Sequence, residues 1–426
     1  MQYKVTFIVL LIVSVIAIDG GVLLYQSHQN TQQANIQSQS KTDILLKKIE
    51  TELQKNPKEI KIYIALSQVY LQKVRETSDS SYYEKVDALL TKAQKIDPKY
   101  ADIYATKAMV DYGRHNFKTG LENAQKATQY NPDKPSYYGL IGDADIELGS
   151  YNDAVIQFQK MVDIRPDYNS YTRIAYIREL YGDINGAKEA EMTAISAGSS
   201  FPENVAWSYV ELGKLDARDN PLQATKDFNH ALATYPNYSP ALEGLGKIAA
   251  AKKDYKNAIN YFEKAFTILP VAAYAMDTGD AATKVNDTKK AQQQYFLTKL
   301  AFEKSTKSGV NIDLENALFL ADHNMDLGTA LKQAQTSYKI RASINGADVL
   351  AWALYKNNRF DEAQKYSTEA LRLGEFDPQI LFHAGMIDSK THQEAEAKRL
   401  LTKALAISPY FSIIQTDVAH ETLKAL

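Results

Sequence analysis

Asp322, His323 and Asp348 are the residues of this 426-residue chain whose types could move a proton or hold a metal. An imidazole beside a carboxylate can act as an acid–base pair, and two carboxylates with an imidazole can ligate a divalent cation. The surrounding spacing argues against both. Metal sites built on neighbouring helical turns need ligands three or four residues apart, yet no two of the seven His lie within four residues of each other. Neither Glu-x-x-His nor His-Glu-x-x-His occurs. The Gly-Lys pairs at 213–214 and 246–247 run on into Leu215 and Ile248 without an earlier loop glycine, so no phosphate-binding loop is encoded. Gly-x-Ser-x-Gly is absent. There is no Cys, which removes thiolate zinc sites, a Cys nucleophile, a disulfide framework and a lipidated cysteine anchor. The sequence predicts no catalytic residue, no metal and no cofactor, and leaves an enzyme with a site near Asp322, His323 and Asp348 as a remaining alternative.

Charge narrows the partners. Forty-nine Lys and Arg against fifty-one Asp and Glu give a net charge of −2, with no long run of one sign. Phosphate neutralisation, which drives nucleic-acid binding, has no source here, so nucleic acid is excluded as an expected partner.

Residues 5–25 differ from all that follows. Fourteen of these 21 residues are Val, Ile, Leu or Phe, and the length is close to the roughly 20 that span a bilayer as a helix. Together they favour insertion by roughly 4 to 8 kcal/mol, against about 2.5 to 3.5 kcal/mol for a centrally placed acid such as Asp19. Insertion wins. Lys4 precedes the span and no Lys or Arg follows until Lys41, so the positive-inside rule puts the amino terminus in the cytoplasm and the body outside it. A cleaved signal, cut after Ala17 to give a secreted protein, is the alternative. The expected organisation is an anchor over 1–25 and a flexible Gln- and Ser-rich tether over 26–42. A solenoid then occupies 43–409, opening with a capping helix at 43–55, and a second capping helix closes the chain at 410–426.

The body repeats. Pro98, Pro132 and Pro166 stand 34 residues apart, as do Pro202, Pro236 and Pro270. Ahead of them recurs Ala154, Phe158, Met161; Ala224, Phe228, Ala231; and Ala258, Phe262, Ala265, with looser copies ending at Pro98, Pro132 and Pro409. Spacings of three and four put these residues on one helix face, and the proline stops the helix where the chain turns back. A preceding helix carries a large residue with a small one four later, as in Tyr138 and Gly142, Tyr209 and Gly213, Leu242 and Gly246, and Leu381 and Gly385. The small residues are expected contact points between helices. The first hairpin carries about seven extra residues near Arg75–Ser81, and those built on Ala291, Ala330 and Ala363 lack the closing proline.

This pattern resembles the tetratricopeptide repeat family over residues 60–409. The resemblance implies an all-α fold, a right-handed superhelix of about ten helical hairpins that binds partner proteins or peptides in its concave groove, and the apolar run at 5–25 adds one transmembrane helix ahead of it. The stretches NALFLADH at 316–323, ADVLAWALYKN at 347–357, EALRLG at 369–374 and FHAGMI at 382–387 are similar to a bacterial group of such proteins, a likeness that supplies no activity. Helical phasing places Phe319, Asp322, His323, Asp348, Trp352, Tyr355, Lys356, Phe382 and Met386 in or near the groove, as aromatic anchors beside charges, against the alternative that Trp352 and Phe319 are inter-hairpin core and that His323 caps a carbonyl or faces water. Trp352→Ala with Tyr355→Ala is then expected to abolish partner capture while melting changes little. The alternative is a structural subunit of an envelope complex that acts through its convex or end surfaces. Each unit is expected to contact mainly its neighbours, so that a cut at Pro236 leaves a folded piece and one at Lys252 does not.

Overall fold

The computed structural model of the chain describes residues 41–199 and 201–426. The span expected at 5–25 and nearly all of the tether lie outside the described residues. Among the described residues no helix is long and apolar enough to cross a membrane.

All regular structure among the described residues is helical, in twenty-two α-helices. A leading helix, α1 (Lys41–Lys55), packs on the first of ten hairpins. These are α2 (Ile60–Thr77) with α3 (Tyr82–Ile96), α4 (Ala101–Gly113) with α5 (Phe117–Tyr130), and α6 (Pro135–Leu148) with α7 (Tyr151–Ile164). Next come α8 (Tyr168–Leu180) with α9 (Ile184–Ala197), α10 (Pro202–Asp216) with α11 (Pro221–Thr234), and α12 (Ser239–Ala251) with α13 (Tyr255–Ile268). The last four are α14 (Ala272–Lys284) with α15 (Thr288–Lys307), α16 (Asp313–Asp322) with α17 (Leu327–Ile340), α18 (Ile344–Lys356) with α19 (Phe360–Ala370), and α20 (Pro378–Asp388) with α21 (Glu394–Ile407). A final helix, α22, spans Gln415–Ala425.

The turn inside most hairpins repeats one device. Lys253, Asn286 and Asn358 each take φ of 60° just after a first helix. The next amide bonds back to a carbonyl five residues earlier, Asp254 to Ala249, Asp287 to Ala282 and Arg359 to Leu354. This closure satisfies carbonyls that the helix end leaves without partners. The side chains of Asp254, Asp287 and Asp326 then accept the amides of Asn257, Lys290 and Thr329 and cap the second helix.

Proline governs most joints between hairpins. At Pro98 and Pro270 the second helix has stopped two residues earlier and the intervening residue is extended, Asp97 at φ −142°, ψ 104° and Leu269 at φ −138°, ψ 102°. The proline ring disfavours a helical conformation in the residue before it. Pro202 keeps the 34-residue spacing but not this role: α9 has ended at Ala197, and Pro202 is the first residue of α10, where its missing N–H is no loss. Hairpins without the proline vary in length, with 20 residues in α15 and 11 in α19, and the extra residues of the first hairpin lengthen α2 to 18.

Within hairpins, the small residues of first helices do lie against large residues of second helices. A β-carbon added at Gly213 would fall 2.7 Å from the Phe228 ring, and one at Gly385 would fall 2.7 Å from Leu401. Gly142 meets Phe158 and Gly246 meets Phe262 in the same way. The rings are fully buried, each worth about 1.5 to 3 kcal/mol of apolar burial.

The superhelix also closes on itself, which departs from the expectation of neighbour-only contacts. The Asn311 amide donates to the Arg114 carbonyl at 3.1 Å, and His115 Nδ1 sits 2.7 Å from the Asn311 carbonyl. Arg341 Nε donates to Glu147 at 2.6 Å, and the Ile344 amide donates to the Tyr151 hydroxyl at 2.7 Å. Further along, Arg218 donates to the Phe376 carbonyl at 3.3 Å. One hydrophobic cluster joins Ile146, Tyr151, Phe158 and Ile177 to Ile344, Ala347, Ala370 and Ile380. Hairpins nearly 200 residues apart therefore share a core, and the concave side is a lumen more than an open groove.

Candidate functional site

The wall of the lumen in the C-terminal half is made mainly by first helices, and it brings the expected residues together. Their side chains are mostly not offered to a partner. Phe319 is 1% exposed, Trp352 3% and Phe382 1%, all in one core cluster with Leu381, Met386, Leu401 and Ala419. The Trp352 ring stacks on Tyr355 at 4.8 Å and on His383 at 4.2 Å, with the Lys356 ammonium 4.9 Å from its centroid. Its indole N–H donates to Asp322 Oδ1 at 2.7 Å. Trp352 thus joins hairpins eight, nine and ten, and removing it takes away core. The expectation that Trp352→Ala with Tyr355→Ala spares the melting temperature is corrected on that ground. Tyr355, Lys356 and Met386 keep an edge on the lumen. A one-residue phase error of about 100° around a helix is enough to move a side chain from lumen to inter-hairpin core.

Asp322, His323 and Asp348 do not converge. His323 uses both ring nitrogens, with Nε2 2.7 Å from Asp280 and Nδ1 2.7 Å from the Phe319 carbonyl. Asp280 also accepts from the Tyr295 hydroxyl at 2.9 Å. Burial lowers the His323 pKa, but the Asp280 carboxylate outweighs it and holds the imidazole above its usual range. Asp348 is engaged elsewhere, by His383, whose Nδ1 lies 2.9 Å from Asp348 Oδ2. Asp322 holds Trp352 and also accepts from Gln415 Nε2 at 2.6 Å. Each group serves a separate structural partner, and no imidazole nitrogen of His323 is left to relay a proton. The sequence pattern does not mark His383, Asp280 and Tyr295, because partners 15, 35 and 43 residues apart leave no local signature.

A second polar group lies nearby. Lys247 Nζ is 2.5 Å from Glu243 and 3.6 Å from Asp277. Burial pushes the Asp277 carboxyl up to about 8, with Lys247 opposing and Glu243 adding to the shift. Glu243 is held low because Lys247 overcomes the effect of its own burial.

Two cavities open into the lumen. One, of about 500 Å³, is lined by Lys247, Met276, Asp277 and Phe319. The other, of about 520 Å³, is lined by Trp352, Tyr355, Phe382 and Met386. Residues 409–418 form a wall of both. The final helix, α22, packs on α20 and α21, the helices of the last hairpin, while the residues that lead into it also reach earlier hairpins. Phe411 packs on Phe382 with ring centroids 5.3 Å apart, Ile413 packs on the cluster around Ala250, Ala258 and Phe262, and Asp417 pairs with Lys284 of α14 at 2.7 Å.

Comparison with known proteins shows what these hairpins are similar to. Residues 239–270, which are α12, α13 and their closing proline, match the tetratricopeptide repeat model. Over 234 residues, 50% of this chain, it is 24% identical to a TPR repeat-containing protein of Methanocaldococcus jannaschii, and the match takes in 41% of that protein's length. Among solved structures it is similar to yeast Tom70, at 17% identity over 96% of both chains with a TM-score of 0.37. It is also similar to PilW, a widely conserved type IV pilus biogenesis factor, at 16% identity over 49% of this chain and 97% of that one, with a TM-score of 0.39. One hairpin thus matches the tetratricopeptide repeat model, and the nine others share its helix–turn–helix plan.

Proposed function

We propose that this protein is a membrane-tethered scaffold that holds segments of partner proteins or peptides in the lumen of its superhelix. Tetratricopeptide-repeat proteins commonly mediate protein or peptide binding. The observation that carries the reading is the lumen itself: its wall of first helices already supports a stretch of polypeptide, residues 409–417, through aromatic, aliphatic and charged contacts. Such a mixture is what segment-binding surfaces use. The apolar run at 5–25 and the position of Lys4 support a single span with the body outside the cytoplasm.

A photo-cross-linking residue placed in turn at Lys247 and Met276 in the lumen, and at Leu222 and Ile156 on the exposed side of second helices, tests the reading in cells. Partner adducts at the lumen positions alone support it. Adducts at Leu222 or Ile156 alone favour the alternative of a structural subunit, for which the exposure of these two large apolar residues speaks. A reporter active only outside the cytoplasm, fused after Leu426, should give signal; signal from a cytoplasmic reporter instead would reverse the topology.

A further inference from the structure

After Ser408 the chain departs from the hairpin rhythm, although α22 still packs on α20 and α21. At the joints after Pro98, Pro132, Pro166, Pro236 and Pro270 the next helix begins within two or three residues, whereas after Pro409 it begins only at Gln415. The residues between, Tyr410, Phe411, Ser412, Ile413 and Ile414, carry no charge and have no helical structure. They cross from hairpin ten to hairpin six, where Ile413 meets Ala250 and Ala258, and Tyr410 borders a small cavity with Lys214 and Lys247.

The segment is flanked by open space. Tyr410 is 50% exposed, and Phe411, Ile413 and Ile414 are only partly buried, with the 500 and 520 Å³ cavities on either side. Protein interiors are close-packed, so a segment flanked by such space forgoes part of the dispersion energy of a core. Gln415 donates to Asp322, but its buried carbonyl oxygen has no partner, a desolvation cost that is recovered when the segment returns to water. Beneath it, Phe262 lies on Gly246 and Leu401 on Gly385, contacts made within the hairpins themselves.

The geometry points to residues 409–417 as a resident ligand in cis on a surface that takes, in its place, an extended segment of another protein with the same chemistry. That segment carries an uncharged aromatic–aliphatic run, followed at about three residues by a carboxylate to meet Lys284. The inference rests on the reading of the lumen as a binding site and names what it binds. A tethered occupant competes at an effective concentration in the millimolar range, so the wild-type chain should bind such a segment in trans weakly.

The test uses the full chain and a fluorescein-labelled peptide of residues 409–419. Phe411→Ala with Ile413→Ala loosens the cis segment and leaves the wall unchanged. The variant should bind the peptide at least tenfold tighter than wild type, and adding Lys284→Ala should weaken that binding. Absence of binding to a variant that keeps its helical signal overturns the inference. So does a concentration-dependent dimer of the variant, which would make a second copy the occupant. If the variant does not fold, hydrogen exchange on the wild-type chain decides: amides of α22 should exchange much faster than those of α20, and equal protection overturns the proposal. Peptide binding without lumen adducts in cells would leave the surface standing and remove the partner reading, whereas lumen adducts without peptide binding would do the reverse.

Discussion

At the scale of single residues the C-terminal core is polarised around His383, which is fully buried between Asp348 and the Trp352 ring. Burial alone would lower its pKa, but Asp348, Asp322 and Asp377 together raise it above the usual imidazole value. A folded-state pKa above the unfolded value near 6.5 means that the pair's contribution is fully present below about pH 6.5 and is lost as pH rises through the folded-state value. The wild-type melting temperature should therefore fall as pH rises above about 6.5, and His383→Gln should reduce that slope, although His323, Glu191 and Asp277, all raised in the folded state, contribute a residual fall of the same sign. The variant should also cost about 3 to 5 kcal/mol at pH 6, because Asp348 would stay buried without its cation. Trp352→Ala should cost about 3 to 5 kcal/mol as a core truncation, read by urea unfolding; a loss under 1 kcal/mol would mean that the indole is dispensable to packing. Sequence phasing brought Phe319, Trp352 and Phe382 to one region correctly. It could not say that they face each other, since lumen and core positions on a first helix are one or two residues apart.

At the scale of elements, most of the hairpin was legible. The 34-residue proline spacing and the Ala and Phe positions ahead of it are enforced by helix geometry within about fourteen residues, so they survive as sequence pattern. Pro202 shows the limit, because equal spacing did not reveal whether a proline ends one helix or opens the next. The pairing of small first-helix residues with second-helix rings yields a prediction with an internal control. Gly246→Ala puts a methyl into the space of the Phe262 ring, and overpacking of that kind costs about 1 to 3 kcal/mol. Gly328→Ala, in the first turn of α17, meets nothing closer than Asp326 Oδ1 at 4.0 Å and should stabilise by about 0.4 to 1 kcal/mol through the unfolded chain. Denaturant midpoints that moved in the same direction for both would contradict this account of the hairpin.

At the scale of the whole molecule the decisive contacts are those between turns of the superhelix, and none was legible, because residues 147 and 341 or 151 and 344 have no periodic relation to each other. A solenoid held only by nearest neighbours loses cooperativity with length and unfolds piecewise. Here the cluster shared by Ile146, Tyr151 and Ile177 with Ile344 and Ile380 ties hairpins three and four to nine and ten. A cut at Pro236 would strip the first part of that shared core and bare its apolar face, so the fragment is expected to be aggregation-prone where neighbour-only stacking predicted a folded piece. The chain's two Trp, at 207 and 352, allow the coupling to be measured without a cut. With the part-exposed Trp207 changed to Phe, the remaining Trp352 fluorescence reports hairpin nine, while far-UV circular dichroism reports all hairpins. In that background the two urea transitions should coincide. Arg341→Ala removes the partner of Glu147 and Glu315, and Tyr151→Phe leaves the Ile344 amide without its acceptor, each an orphaned group worth about 1 to 3 kcal/mol. Together they should pull the Trp352 transition to lower urea than the dichroism transition. Transitions that stay coincident in the double variant would show that stacking along the chain, and not closure between turns, carries the cooperativity.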